Sequence, residues 1–206
     1  MPEFEMLHQI IYLLFISTHW SSVDGECQLP QTQEIDWSKM RGVWYEILNS
    51  GTPFDNLLSC FEVVDIQNIT GGMRQTFYDE NKDISVSVDV KRLESGHYKY
   101  ETDHVPSWIA FLMNEVSPEK PVDPKLLQEL TDMFEDETVY RTDYETYGIN
   151  TRCTKDGKKF YWIISRDPHP TSNNIVYIFN KLMELGYEWN DVPLHLSGCT
   201  ESDETV

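Results

Sequence analysis

Positive charge is scarce in this sequence. Sixteen Lys and Arg stand against 35 Asp and Glu, giving a formal net charge of −19. A chain this acidic repels phosphate backbones and anionic lipid surfaces, which excludes nucleic acid as a partner and argues against a membrane one. An apolar run of the roughly 20 residues that a spanning helix needs is also missing. Ile10-Ile11-Tyr12-Leu13-Leu14-Phe15-Ile16 is a short run, followed by Ser21-Ser22-Val23-Asp24-Gly25 and then Glu26-Cys27. This pattern reads as a signal peptide over residues 1–25, cut near Gly25, and predicts a secreted, extracellular protein. Its leading segment holds Glu3 and Glu5 and no Lys or Arg; a start at Met6 leaves His8 as its one weakly basic group. A buried first strand or an amphipathic anchor is the alternative reading.

Cysteine is equally sparse. Cys27, Cys60, Cys153 and Cys199 are dispersed, with no CxxC and no Cys/His spacing suited to zinc. An even count behind an export signal reads as two disulfides, with three connectivities open. His8, His19, His97, His104, His169 and His195 stand in no recognisable arrangement with a serine or cysteine. No catalytic residue, no metal site and no cofactor are expected, and the chain is read as a non-enzyme. Asn68-Ile69-Thr70 is the one glycosylation sequon. No internal repeat is visible. With 40% hydrophobic and 13% aromatic residues, there is enough apolar material for the core of one domain.

What the sequence does contain is a succession of short strand signals. Trp44–Ile47 is the first, and Phe61–Ile66 follows. Gly71-Gly72 makes a turn into Arg74–Tyr78. Ile84-Ser85-Val86-Ser87-Val88-Asp89-Val90 alternates strictly, the period of a strand with one buried face. His97–Thr102, Thr138–Thr142, Tyr147–Thr151 and Lys159–Ile164 complete eight, with Asp156-Gly157 as a hairpin signal between the last two. Eight such strands predict an all-β fold, an antiparallel up-and-down β-barrel whose closure removes exposed edges. After Pro168 and Pro170, the positions Ile175, Ile178, Phe179, Leu182, Met183 and Leu185 recur at helical spacing and Gly186 ends the run. This C-terminal helix needs the barrel wall to lie against. Residues 200–206 form an acidic tail.

The stretch 104–137 is too long for a hairpin connection. Asp123-Pro124 is a helix start, and Leu126, Leu127, Leu130, Met133 and Phe134 form an apolar stripe. The spacing predicts a short inserted helix over 123–135, accompanied by Trp108, Ile109, Phe111, Leu112 and Met113. It covers the barrel mouth, packs on the outer wall, or presents a face to a protein partner.

Three motifs occur in order. Gly42-Val43-Trp44 stands at the start of the first strand, Thr142-Asp143-Tyr144 at a strand end, and Arg166 just after the last strand. Together they resemble the three signatures of the lipocalin family. Gly42–Ile47, Thr142–Tyr147, Tyr161–Pro168 and the cysteine layout look like its apolipoprotein D and bilin-binding subgroup, over residues 27–199. The departure is the extra chain at 104–137. The resemblance implies pairing of Cys27 with Cys153 and of Cys60 with Cys199. It implies a structural barrel floor of Gly42, Trp44, Arg166, Thr142, Asp143 and Tyr144, with the Arg166 guanidinium over the Trp44 indole.

A barrel of this size is either filled by side chains or open to one small ligand. Phe160, Trp162 and Ile164 share a face with Arg166 and are expected inside. Val86 and Val88 follow from their alternation. Phe77, Tyr98 and Tyr140 can point either way, and Trp108 joins through the insertion. Read as a binding wall, these residues predict a carrier of a small hydrophobic ligand such as a lipid, sterol, retinoid or pigment; read as packing, they form a solid core. The alternative function is a lipocalin that acts through its surface as an inhibitor or receptor ligand, with helix 123–135 as the face for its protein partner.

Overall fold

The computed structural model describes residues 27–31, 33–51, 61–79, 83–94, 96–101, 105–116, 123–153, 157, 159–187 and 195–196. The expected signal peptide, Cys60, Cys199, the acidic tail and the side chain of Trp108 lie outside the described residues.

Eight strands follow one another in the order the periodicity predicts: β1 (Trp44–Asn49), β2 (Glu62–Ile69), β3 (Gly72–Asp79), β4 (Ile84–Arg92), β5 (His97–Tyr100), β6 (Glu137–Thr142), β7 (Tyr147–Cys153) and β8 (Lys159–Ser165). Each pairs antiparallel with the next, and β1 pairs with both β8 and β2, so the sheet closes into a barrel. A two-residue strand, β9 (His195–Leu196), continues the ladder along the upper part of β1, at Leu48 and Asn49. β1 is free to pair there because its contact with β2 involves only Trp44 and Tyr45.

Strand alternation sorts side chains into two apolar clusters. In β8, Phe160, Trp162 and Ile164 join the interior cluster, whereas Tyr161 and Ile163 join a second one outside. In β7 the outer face carries Tyr147 and Ile149, and the inner face carries Gly148, Asn150 and Arg152. The outer cluster is covered by α3 (Ser172–Glu184), which buries Ile178 and Leu182 against the wall. Thr171 caps this helix by accepting from the Asn174 N–H at 3.3 Å.

The antiparallel order fixes the two ends. The turns β2–β3, β4–β5 and β6–β7 lie at the end where Trp44 begins β1; the connection β5–β6 lies at the opposite, open end. That connection differs from the sequence reading in one respect. It holds two helices, α1 (Val105–Val116) and α2 (Pro124–Glu135), where only the second is marked by periodicity. Val105–Val116 is apolar along most of its length, so no polar face reveals its helical period. α2 begins as expected, with Asp123 accepting from the Lys125 N–H at 2.9 Å and Pro124 in the first turn.

Candidate ligand-binding site

The closed end is built by three layers of contacts. Arg166 lies over the Trp44 ring with its guanidinium carbon 3.7 Å from the centroid. Its Nη1 donates to the Val43 carbonyl at 3.1 Å and its Nη2 to the Lys39 carbonyl at 3.4 Å. The Trp44 indole N–H donates to the Met40 carbonyl at 2.7 Å. Gly42 has φ +90°, and a Cβ there would come within 3.2 Å of Arg166 Nη1, so the chain enters β1 through a conformation and a gap that suit glycine.

Thr142, Asp143 and Tyr144 form the β6–β7 turn at the same end. One oxygen of Asp143 accepts from the N–H groups of Glu145, Thr146 and Tyr147 at 2.7–3.1 Å. Thr142 donates its hydroxyl to the Tyr147 carbonyl at 2.5 Å and accepts from the Tyr144 N–H. Tyr144 takes a positive φ of 69° and receives the Asp36 N–H on its hydroxyl. These residues hold the floor and its turn together; of them only Thr142 borders the cavity above.

A second floor element carries no strand or helix period in the sequence. Residues 33–40 pass under the barrel with Trp37 in a short 3₁₀ turn, Trp37–Lys39, capped by Asp36. The Trp37 ring meets Tyr98 and Tyr140 edge-on, each at a centroid distance of 5.1 Å. Tyr98 is fully buried beneath it and its hydroxyl accepts from the Ile35 N–H. Trp37 therefore plugs the lumen beside Trp44.

Above this floor, Phe77, Tyr140, Trp162 and Ile164 line a central cavity, together with Phe61, Gln75, Tyr100 and Asn150. Phe160, Val86, Val88 and Tyr98 belong to the same interior cluster without bordering that cavity. The second group of wall residues was legible in part: Tyr100 shares the inward face of β5 with Tyr98, and Gln75 that of β3 with Phe77. The walls carry a short polar string. Tyr100 and Tyr140 hydroxyls are 3.1 Å apart, and Tyr100 donates to Gln75 Oε1 at 3.4 Å. Asn150 donates to the Thr138 hydroxyl at 2.6 Å. Burial pushes the Tyr140 hydroxyl well above its ordinary pKa, and neighbouring Tyr100 adds to the effect. It stays protonated at neutral pH and, with the Tyr100 proton on Gln75, donates to the Tyr100 hydroxyl.

The open end is occupied by the insertion. Ile109 and Met113 of α1 and Leu130, Met133 and Phe134 of α2 belong to the interior cluster. The apolar stripe of α2 is thus turned into the lumen and does not lie on the outer wall. Phe134 packs edge-on against Tyr100 at 5.2 Å and tilted against Trp162 at 6.2 Å. The space left at the centre is about 30 Å³. That holds about two waters and no lipid. The Cys27–Cys153 disulfide joins the segment before the floor to the end of β7 across 126 residues. Among the described residues no cysteine is free and no cluster of His, Cys, Asp and Glu could hold a metal. Asn68 is exposed near the end of β2.

No protein-family model and no curated protein matches the chain. Solved structures do. A major allergen from cockroaches, Per a 4, superposes with a TM-score of 0.53 at 15% identity, over 84% of this chain and 95% of that one. The bovine lipocalin allergen Bos d 2 superposes with a TM-score of 0.50 at 15% identity, over 82% and 98%. The chain has the fold of these barrels, the lipocalin fold.

Proposed function

We propose that this chain is a secreted member of the lipocalin family that carries one small hydrophobic molecule inside its barrel. One observation supports this above the others. The inner wall is a mainly apolar and aromatic surface around a central cavity, and the part that fills its mouth comes from an insertion and not from the barrel. Ligand sites of a few hundred Å³ are usual for small molecules, so the closed form must open to load. Withdrawing Leu130, Met133 and Phe134 of α2 together with Ile109 and Met113 of α1 would vacate the upper lumen without breaking a strand pair. In this reading the α1–α2 insertion is a lid that slows exchange. The disulfide and the three lipocalin-like motifs fit an exported carrier. The apolipoprotein D and bilin-binding likeness makes a pigment one of the ligands worth seeking.

The test is native mass spectrometry and visible absorption of the full chain recovered from the medium of secreting cells. A bound small molecule, lost on unfolding, is the expected result; a pigment would show directly in the spectrum. A barrel that is empty from every source, and that takes up neither retinol nor a fatty acid, would overturn the carrier reading. The nearly filled lumen favours one other outcome of that experiment, a stoichiometric protein partner held through the α1–α2 surface, where Phe111 is 49% exposed.

A further inference from the structure

The interior of the barrel contains a cation. Arg152 faces inward from β7 and is fully buried. Its guanidinium carbon sits 4.7 Å from the centroids of Tyr100 and Trp162, 5.1 Å from Phe160 and 5.2 Å from Phe134. Nη1 donates to the Met133 main-chain carbonyl at 2.6 Å, and Nη2 makes a long contact to Asn150 Oδ1 at 3.4 Å. Among the described residues Nε has no hydrogen-bond partner. Among the described residues no carboxylate lies within ion-pair distance of this group, although the chain has more than twice as many acidic as basic residues.

A buried guanidinium loses its hydration, and ring faces and neutral carbonyls restore only part of it. The usual remedy is a carboxylate, which accepts two parallel N–H bonds from the planar fork. Among the described residues Arg152 has none, and although it does not itself border the central cavity, residues in contact with it do. Tyr100, Trp162 and Asn150, which touch the guanidinium, also line the central cavity. A ligand whose apolar body fills that cavity therefore brings its end group to this layer. The one strong bond of Arg152 in the closed form is to a carbonyl in the last turn of α2, within the insertion that must withdraw.

From this juxtaposition we infer that the carried molecule is an amphipathic anion whose carboxylate takes the place of the Met133 carbonyl on Arg152. The inference rests on the carrier reading and narrows it from hydrophobic molecules in general to those with one anionic end. It also couples the two events, because the head group that binds Arg152 releases the last turn of the lid.

The experiment compares decanoate with decanol, which share an alkyl chain and differ in charge, by titration calorimetry of the full chain at pH 8. The unaltered protein is expected to bind decanoate about tenfold or more tightly than decanol. Arg152→Gln is expected to bring that ratio close to one. A second measurement needs no substitution. The carboxyl of bound [1-¹³C]decanoate, titrated by NMR, should ionise below the pH of the free acid if a guanidinium faces it, and above that pH if it is merely buried. Equal affinities for acid and alcohol, or a raised carboxyl pKa, would overturn the role of Arg152 while leaving a hydrophobic carrier in place. Binding of neither compound would remove the carrier reading along with it.

Discussion

Arg152 Nη1 and the main-chain oxygen of Met133 are 2.6 Å apart, and this bond ties β7 to the last turn of α2. Next to it in sequence is Phe134, buried to 1% exposure between Tyr100 and Trp162. The inserted helices are held to the barrel by this charged hydrogen bond, by the stopper ring and by the apolar side chains Ile109, Met113, Leu130 and Met133. They share no ladder with the strands, so they can open as a unit at lower cost than the sheet.

Truncating the stopper tests this arrangement. Phe134→Ala is expected to reduce the stability of the chain by about 3 kcal/mol, within the range for a large ring removed from a core. A smaller loss, with an unchanged sheet by circular dichroism, is expected if the helices open before the barrel unfolds. In either case both uptake and release of a bound fatty acid should accelerate at least several-fold in stopped-flow measurements. Unchanged exchange rates in a folded Phe134→Ala protein would contradict the lid.

The floor makes a separate prediction. Arg166→Ala removes a cation stacked 3.7 Å over Trp44 and two hydrogen bonds to carbonyls that cap the chain below it. The expected loss is about 2–3 kcal/mol, read from urea unfolding. Gly42→Ala should cost about 1–3 kcal/mol through its positive φ and its approach to the same guanidinium. Because both act on Arg166 and its immediate neighbourhood, the double substitution should cost less than the sum. Strict additivity would show that the two positions do not share this contact.

Reduction of the Cys27–Cys153 bond probes the tether. The bond closes a loop of 126 residues, for which chain entropy gives about 4–5 kcal/mol. Cys27→Ser with Cys153→Ser should lower the midpoint of thermal unfolding markedly and leave the affinity for a neutral ligand nearly unchanged, since neither cysteine borders the cavity. A comparable fall in affinity would place the tether within the site.

Much of this architecture is readable from particular residues. The strict alternation of Ile84–Val90 assigns Val86 and Val88 to the inside, and the observed burial of β4 follows it. Phe160, Trp162 and Ile164 are assigned together once Arg166 is placed at the floor. Periodicity fails where both faces of an element are covered. β7 reads as a mixed strand because its apolar Tyr147 and Ile149 face α3, while its polar Asn150 and Arg152 face the lumen. An arginine on a strand is normally a solvated residue, so nothing in Thr151-Arg152-Cys153 announces a buried cation. Trp37 was hidden for another reason. It sits in a segment with no period, and its contacts to Tyr98 and Tyr140 are more than 60 residues away in the chain.

The buried tyrosines, inside the barrel and on its outer wall, should make the chain sensitive to alkali. Burial is the first cause raising the pKa of Tyr98, Tyr140, Tyr147, Tyr161 and Tyr187, and that of Tyr187 is pushed up to about 12. In the unfolded chain these hydroxyls ionise near their ordinary value of 10.0. Below that pH both states are protonated and the tyrosines contribute no pH dependence. Above it the unfolded state loses protons that the folded state retains, so stability falls by up to about 1.4 kcal/mol per pH unit for each tyrosine. The fall due to Tyr187 continues until about pH 12, where its folded form also ionises. Urea midpoints measured at pH 8, 9, 10 and 11 should therefore be nearly level over the first interval, begin to fall by pH 10 and drop steeply between pH 10 and 11. Tyr187 packs against Tyr161 at 5.4 Å; burial raises the pKa of both, and Tyr187 adds to the rise at Tyr161. Tyr187→Phe removes one of these ionisations and should make the drop between pH 10 and 11 shallower. A level profile to pH 11, or an unaltered slope in Tyr187→Phe, would mean that this face of the barrel is open to water.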